Sequence, residues 1–104
     1  IDMATAVSGS GPGFVFKLID SFEKAAISLG FKKNIAKLLV LQTFKGSIDL
    51  LLKNKLTAKE MVQKVATKGG TTEAGLKVMQ KNNIQKIFRD LTKVSYKRAK
   101  DQGK

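Results

Sequence analysis

The sequence predicts an all-α domain, a small bundle of about five helices. Three observations predict it. Apolar residues recur at helical spacing over most of the 104 residues. Gly30, Thr57-Ala58-Lys59-Glu60, Gly69-Gly70 and Asn82-Asn83 punctuate that pattern where helices start and stop. No segment shows sustained strand alternation flanked by hairpin turns.

The elements follow in order. Ser8-Gly9-Ser10-Gly11-Pro12-Gly13 reads as a flexible turn into the first helix. Pro12 suits the first helical position, and Ser10 or Gly11 serves as N-cap. Val15, Leu18, Ile19, Phe22, Ala26 and Leu29 then line one face, and Gly30 ends the helix. A second helix covers Lys33 to Lys53, about 30 Å at the usual rise. Ile35, Leu38, Leu39, Leu41, Phe44, Ile48, Leu51 and Leu52 span more than one stripe, with Val40 and Leu50 widening it. A helix this apolar needs cover on most sides, which points to a partner chain. Gly46, in its middle, either admits close approach of another helix or is merely tolerated at a cost of about 1 kcal/mol.

Thr57-Ala58-Lys59-Glu60 is a capping box opening a short third helix, with Leu56 and Met61 at the staple positions. That helix ends near Val65 or Ala66. A fourth starts at Thr71 or Thr72, carries Leu76, Val78 and Met79, and is broken by Asn82-Asn83. The last helix sets Ile84, Ile87, Phe88, Leu91, Val94 and Ala99 against a polar face of Lys86, Arg89, Asp90, Lys93, Lys97 and Lys100. Asp101 to Lys104 reads as a loose tail.

Composition excludes whole classes of chemistry. With no cysteine there is no disulfide and no thiolate metal site. With no histidine, a Ser-His-Asp triad, a Cys-His pair and a zinc hydrolase centre are ruled out, and no metal site is expected. No run approaches the roughly 20 apolar residues of a membrane helix. The chain reads as a piece of a longer cytoplasmic protein. The net charge of +12 admits a polyanion partner. Only Arg89 and Arg98 are arginine, however, and the lysines run along the whole length, as on a solvated surface. No specific nucleic acid is expected.

Gly69-Gly70-Thr71-Thr72 is the sharpest motif. Two glycines allow close backbone approach, and the helix behind them offers free N–H groups and a positive dipole end. Such a turn binds a carboxylate, or is an ordinary helix start. Thr71 and Thr72 add hydroxyls, and Lys68 a positive charge. Ser8-Gly9-Ser10-Gly11-Pro12 is a second candidate nest. It is neither a dinucleotide fingerprint nor a P-loop, since the third glycine and a Gly-Lys-Ser/Thr run are missing.

Val65-Ala66-Thr67-x-Gly69-Gly70-x-Thr72-x-x-Gly75-Leu76-x-x-Met79-Gln80, together with Thr5-Ala6-Val7-Ser8-Gly9-Ser10-Gly11-Pro12, resembles the C-terminal dimerisation domain of the pyrroline-5-carboxylate reductases. Leu29-Gly30-Phe31 and Gly46 fall at matching places. The resemblance implies an oxidoreductase of proline biosynthesis that reduces 1-pyrroline-5-carboxylate to L-proline with NADPH or NADH. It implies a helical domain over residues 1–104 that interleaves into a homodimer or a higher assembly. The Rossmann domain that binds the cofactor would lie outside this chain, which alone would bind no cofactor and be inactive. Thr67, Lys68, Gly69, Gly70, Thr71 and Thr72 would hold the substrate, with Thr72 hydrogen-bonding its ring nitrogen. Hydride addition to a protonated imine needs orientation rather than a nucleophile or metal, which agrees with the composition. Lys68 in place of the usual proline, Gln63 in place of aspartate and Phe14 in place of tyrosine depart from the pattern, so a related cyclic imine is an alternative substrate. The competing readings are a lysine-rich nucleic-acid-binding module, resting on charge alone, and a scaffold without catalysis.

Overall fold

The computed structural model of the chain describes residues 1–66 and 70–103. The described residues form helices and connecting turns, with no strand among them. They are α1 (Asp2–Ala4) running into a π-helical segment (Thr5–Gly9), α2 (Gly11–Ser28), α3 (Lys33–Lys53), α4 (Ala58–Ala66), α5 (Gly70–Lys81) and α6 (Ile84–Gln102). The chain divides into two compact units, one of Ile1–Phe14 with Ala66–Lys104 and one of Val15–Val65.

Three of the predicted start and stop signals work through their local chemistry. At the end of α2, Gly30 takes φ +120. Its N–H donates to the Ile27 carbonyl at 2.9 Å, and the Phe31 N–H to the Ala26 carbonyl at 3.4 Å. This pair of bonds is a Schellman closure, and it needs a residue free to adopt positive φ. At the start of α4 the Glu60 N–H donates to Thr57 Oγ1 at 3.1 Å, and the Thr57 N–H to Glu60 Oε1 at 3.0 Å. Asn83 sits at φ 55, ψ 58, and its side chain accepts from the Lys86 N–H at 3.3 Å, so the residue that breaks α5 also caps α6. The bounds of α3 are those expected.

Four expectations are corrected. The turn predicted over residues 8–13 shrinks to Ser10, because Thr5–Gly9 is already helical, closed by the Ser10 N–H on the Thr5 carbonyl at 2.8 Å. Pro12 is therefore the second helical residue, still among the positions where a helix start needs no N–H donor. α5 begins at Gly70, before Thr71 and Thr72. The tail is helical through Gln102.

In the first unit, α1 and the π-helical segment pack on α6, and α5 meets α6. Ala6 is buried there. The half-buried stripe of α6 is Ile84, Phe88, Leu91, Thr92, Ser95 and Ala99. Ile87 and Val94, assigned to that face by periodicity, stand 49% and 69% exposed on its flank. In the second unit Ala26, Ala36 and Val40 are buried, and Phe22 meets Phe44 edge-on at 6.4 Å. Among the described residues no large side chain is fully buried. Along α3, Leu38, Leu39, Leu41, Ile48, Leu50 and Leu52 all remain exposed. Leaving so much apolar side-chain surface in water forgoes the main force that folds a domain. Along α3 only Ala36 and Val40 are buried, and its apolar flanks are left without cover.

Candidate functional site

Three of the six predicted site residues, Gly70, Thr71 and Thr72, fall at the start of α5. Thr67, Lys68 and Gly69 lie outside the described residues. Gly70, Thr71 and Thr72 form the first turn of the helix. The N–H groups of a first turn have no intrahelical acceptor, so they present donors at the positive end of the helix dipole. Thr71 is exposed and Thr72 half-buried. One turn on, half-buried Leu76 shares the Thr72 face and anchors it. The first turn also holds Glu73, a carboxylate that itself favours the dipole. Lys77 lies 3.8 Å from Glu73 and offsets its charge against an arriving anion.

Hydroxyl bookkeeping separates this turn from the other glycine turn. Thr5 Oγ1 donates to the Ile1 carbonyl at 2.9 Å, and Ser8 Oγ to the Ala4 carbonyl at 2.9 Å. Those hydroxyls are absorbed by their own helix, and the N–H groups around them close the π turn. The Ser8–Pro12 nest is thereby a structural helix junction. Thr72, by contrast, makes no side-chain hydrogen bond among the described residues, which leaves its Oγ1 free to donate or accept.

Electrostatics offers no competing centre. The hydrogen bonds from the Thr57 backbone and hydroxyl hold the Glu60 carboxyl below its ordinary value. The Lys24 ammonium does the same for Asp20, and the Lys86 ammonium for Asp90, while Asp90 raises Lys86. These are cap and i,i+4 ion-pair effects on exposed helix surfaces. They supply no general acid or base poised for chemistry. Among the described residues no cluster of acidic groups is able to hold a metal ion. No helix among them is long and apolar enough to cross a membrane. Sequence reasoning missed one feature, an open groove where α1 and the π segment leave part of α6 uncovered. The only trace of it in the sequence is Tyr96 inside a lysine-rich stretch.

Residues 1–102 match the family described as pyrroline-5-carboxylate reductase dimerisation. Pyrroline-5-carboxylate reductase 2 of Bacillus subtilis strain 168 is 39% identical over 88 residues, covering 85% of this chain and 32% of that protein. The solved structure of Plasmodium falciparum pyrroline carboxylate reductase with NADP bound superposes with a TM-score of 0.94 at 31% identity, over 99% of this chain and 39% of that one. A pyrroline-5-carboxylate reductase from Coxiella burnetii gives 0.92 at 33% identity, over 96% of this chain and 37% of that one. The chain spans about a third of the length of the curated relatives it matches, from 32% to 39%.

Proposed function

Because this chain belongs to the pyrroline-5-carboxylate reductase dimerisation family, we propose that it is the dimer-forming and substrate-holding part of a cytoplasmic enzyme of proline biosynthesis. That enzyme reduces 1-pyrroline-5-carboxylate to L-proline with NADPH or NADH. Two copies of the chain associate as a homodimer, each covering the apolar flanks of the other's α3. The observation that carries the site assignment is the first turn of α5, where N–H donors without an intrahelical acceptor stand beside half-buried Thr72, whose hydroxyl has no hydrogen-bond partner among the described residues.

The chemistry this turn performs is positioning. The substrate is a five-membered ring with one carboxylate and one imine nitrogen. The N–H groups of the turn, from Gly70 through Thr72, take the carboxylate, as a helix start takes any small anion. Thr72 Oγ1 accepts the N–H of the protonated imine and, after reduction, still bonds the ring amine of the product. Two fixed points set the face of the ring that is reduced, and orientation of this kind lowers a barrier without any covalent step. The chain has no histidine or cysteine, so neither residue type in it supplies the proton on the ring nitrogen. The described residues are all helix and turn, without the strand–turn–helix unit that cradles a dinucleotide pyrophosphate, so they do not fit the nicotinamide cofactor by themselves.

The test is an assay with 1-pyrroline-5-carboxylate and NADPH or NADH, following cofactor oxidation and L-proline together. The 104-residue chain alone is expected to be inactive, and the chain joined to a nicotinamide-binding domain to be active. Turnover by the chain alone overturns the division of labour. Activity of the joined protein on another cyclic imine, with none on this one, overturns the substrate.

A further inference from the structure

In the first unit, α1 and the π-helical segment cover α6 only in part. Beside them runs an open groove of about 280 Å³ lined by Met3, Ala6, Val7, Thr92, Lys93 and Tyr96. Its floor is apolar. Met3 and Val7 are exposed, and the Thr92 hydroxyl is already committed to the carbonyls of Phe88 and Arg89 at 2.9 and 3.0 Å. The Tyr96 ring forms a wall, with Lys100 Nζ 5.3 Å from its centroid.

A separate observation concerns the rim. At the helical turn of about 100° per residue, Arg89, Lys93, Lys97 and Lys100 fall within an arc of about 80° on α6, directly beside Thr92 and Tyr96. All four are exposed, and none forms an ion pair among the described residues. Of the two acids on α6, Asp90 lies just outside this arc and is held by Lys86 at 2.9 Å, and Asp101 lies about 40° outside it. An apolar floor bounded on one side by four unpaired cations is complementary to a segment that is apolar on one face and acidic along the adjoining flank.

We propose that this groove of α6 is a docking site for an amphipathic acidic peptide segment, whose apolar side chains enter beside Tyr96 while its carboxylates meet Arg89, Lys93, Lys97 and Lys100. A second copy of this chain is not the occupant, since it carries a net charge of +12 and, among the described residues, its one helix with more acidic than basic residues is the three-residue α1, which offers the single carboxylate of Asp2. Nucleic acid matches the rim but leaves the apolar floor unfilled.

Tyr96 is the only tyrosine and there is no tryptophan, so intrinsic emission reports from inside the groove. The 104-residue chain is titrated with a synthetic helical peptide lacking Tyr and Trp, with Leu on one face and Glu along its flank. The controls are the same peptide with Lys for every Glu, polyglutamate, and duplex DNA. The Glu peptide is expected to change Tyr96 emission saturably, and the Lys peptide to leave it unchanged. Lys93→Glu with Lys97→Glu, both exposed, is expected to weaken binding at least tenfold with the circular dichroism spectrum intact. Val7→Asp, aimed at the floor, is expected to do the same. Equal affinity for polyglutamate or DNA reduces the rim to general polyanion attraction and overturns the proposal. So does the absence of saturation, or indifference to both sets of variants. Dissociation of the self-associated protein by the peptide overturns it as well, by assigning the groove to the contact between copies.

Discussion

Replacing Leu50 with alanine tests how much of the fold depends on a second chain. Leu39, Thr43, Gly46 and Leu50 recur at i, i+4, i+7 and i+11, so they share one face of α3. Within the chain that face is open. Leu39 and Leu50 are 44% and 50% exposed, and a Cβ built on Gly46 meets nothing within 4 Å. Thr43 turns its hydroxyl back to the Leu39 carbonyl at 2.7 Å, leaving a small, satisfied surface between two leucines. Complete burial of a leucine side chain is worth about 1.5–3 kcal/mol. With half of Leu50 already covered, the partner chain contributes about 0.8–1.5 kcal/mol per copy. A two-fold dimer counts the site twice, so Leu50→Ala should cost about 1.5–3 kcal/mol and weaken the dimer roughly 10- to 150-fold. Sedimentation velocity over a dilution series measures this, with melting curves at each concentration, because the stability of an obligate dimer rises with concentration. Lys37→Ala, on an exposed polar position of the same helix, is the control. The reasoning is refuted if Leu50→Ala dimerises like the parent. It is equally refuted if the parent is a monomer whose cooperative melt ignores concentration.

Other outcomes follow from single groups. Thr57→Ala removes the α4 cap and should cost about 1 kcal/mol, read as a lower melting temperature. In the complete reductase Thr72→Ala should lose about 1–3 kcal/mol of positioning, roughly ten- to a hundredfold in rate, while melting near the parent. If it instead loses stability and keeps its rate, as Thr57→Ala should, Thr72 is a helix cap and not a substrate ligand. The carboxyls of Asp20, Glu60 and Asp90 are lowered on folding from 3.8, 4.5 and 3.8. Their stabilisation is therefore complete above those ordinary values and is lost as pH falls through the lowered ones. Helicity followed by circular dichroism should decline in that acid range, and Glu60→Gln should keep the cap while removing its share of the pH dependence. Binding to duplex DNA, measured by fluorescence anisotropy, should be weak, unselective for sequence and steeply reduced by salt.

What the sequence by itself determined is what forms within a few residues. Gly30 ends α2 because positive φ excludes side chains from that closure. Thr57 and Glu60 find each other three residues apart, and Asn83 tolerates the left-handed turn that caps α6. The limits of α3 were legible from its flanks, and its excess of leucine already announced a missing partner. The Gly-Gly-x-Thr run marked the start of α5 to within two residues. Tertiary structure alone decided the rest. The π-helical segment over Thr5–Gly9 lies on α6, a contact between ends of the chain far apart in sequence. That same contact buries Ala6, lies against an α6 whose Ile84–Ala99 stripe is half-buried while Ile87 and Val94 stay exposed, and borders the groove at Tyr96. Periodicity gives the angle of each side chain about its own helix axis, but which arc of that circle is covered depends on where other segments arrive.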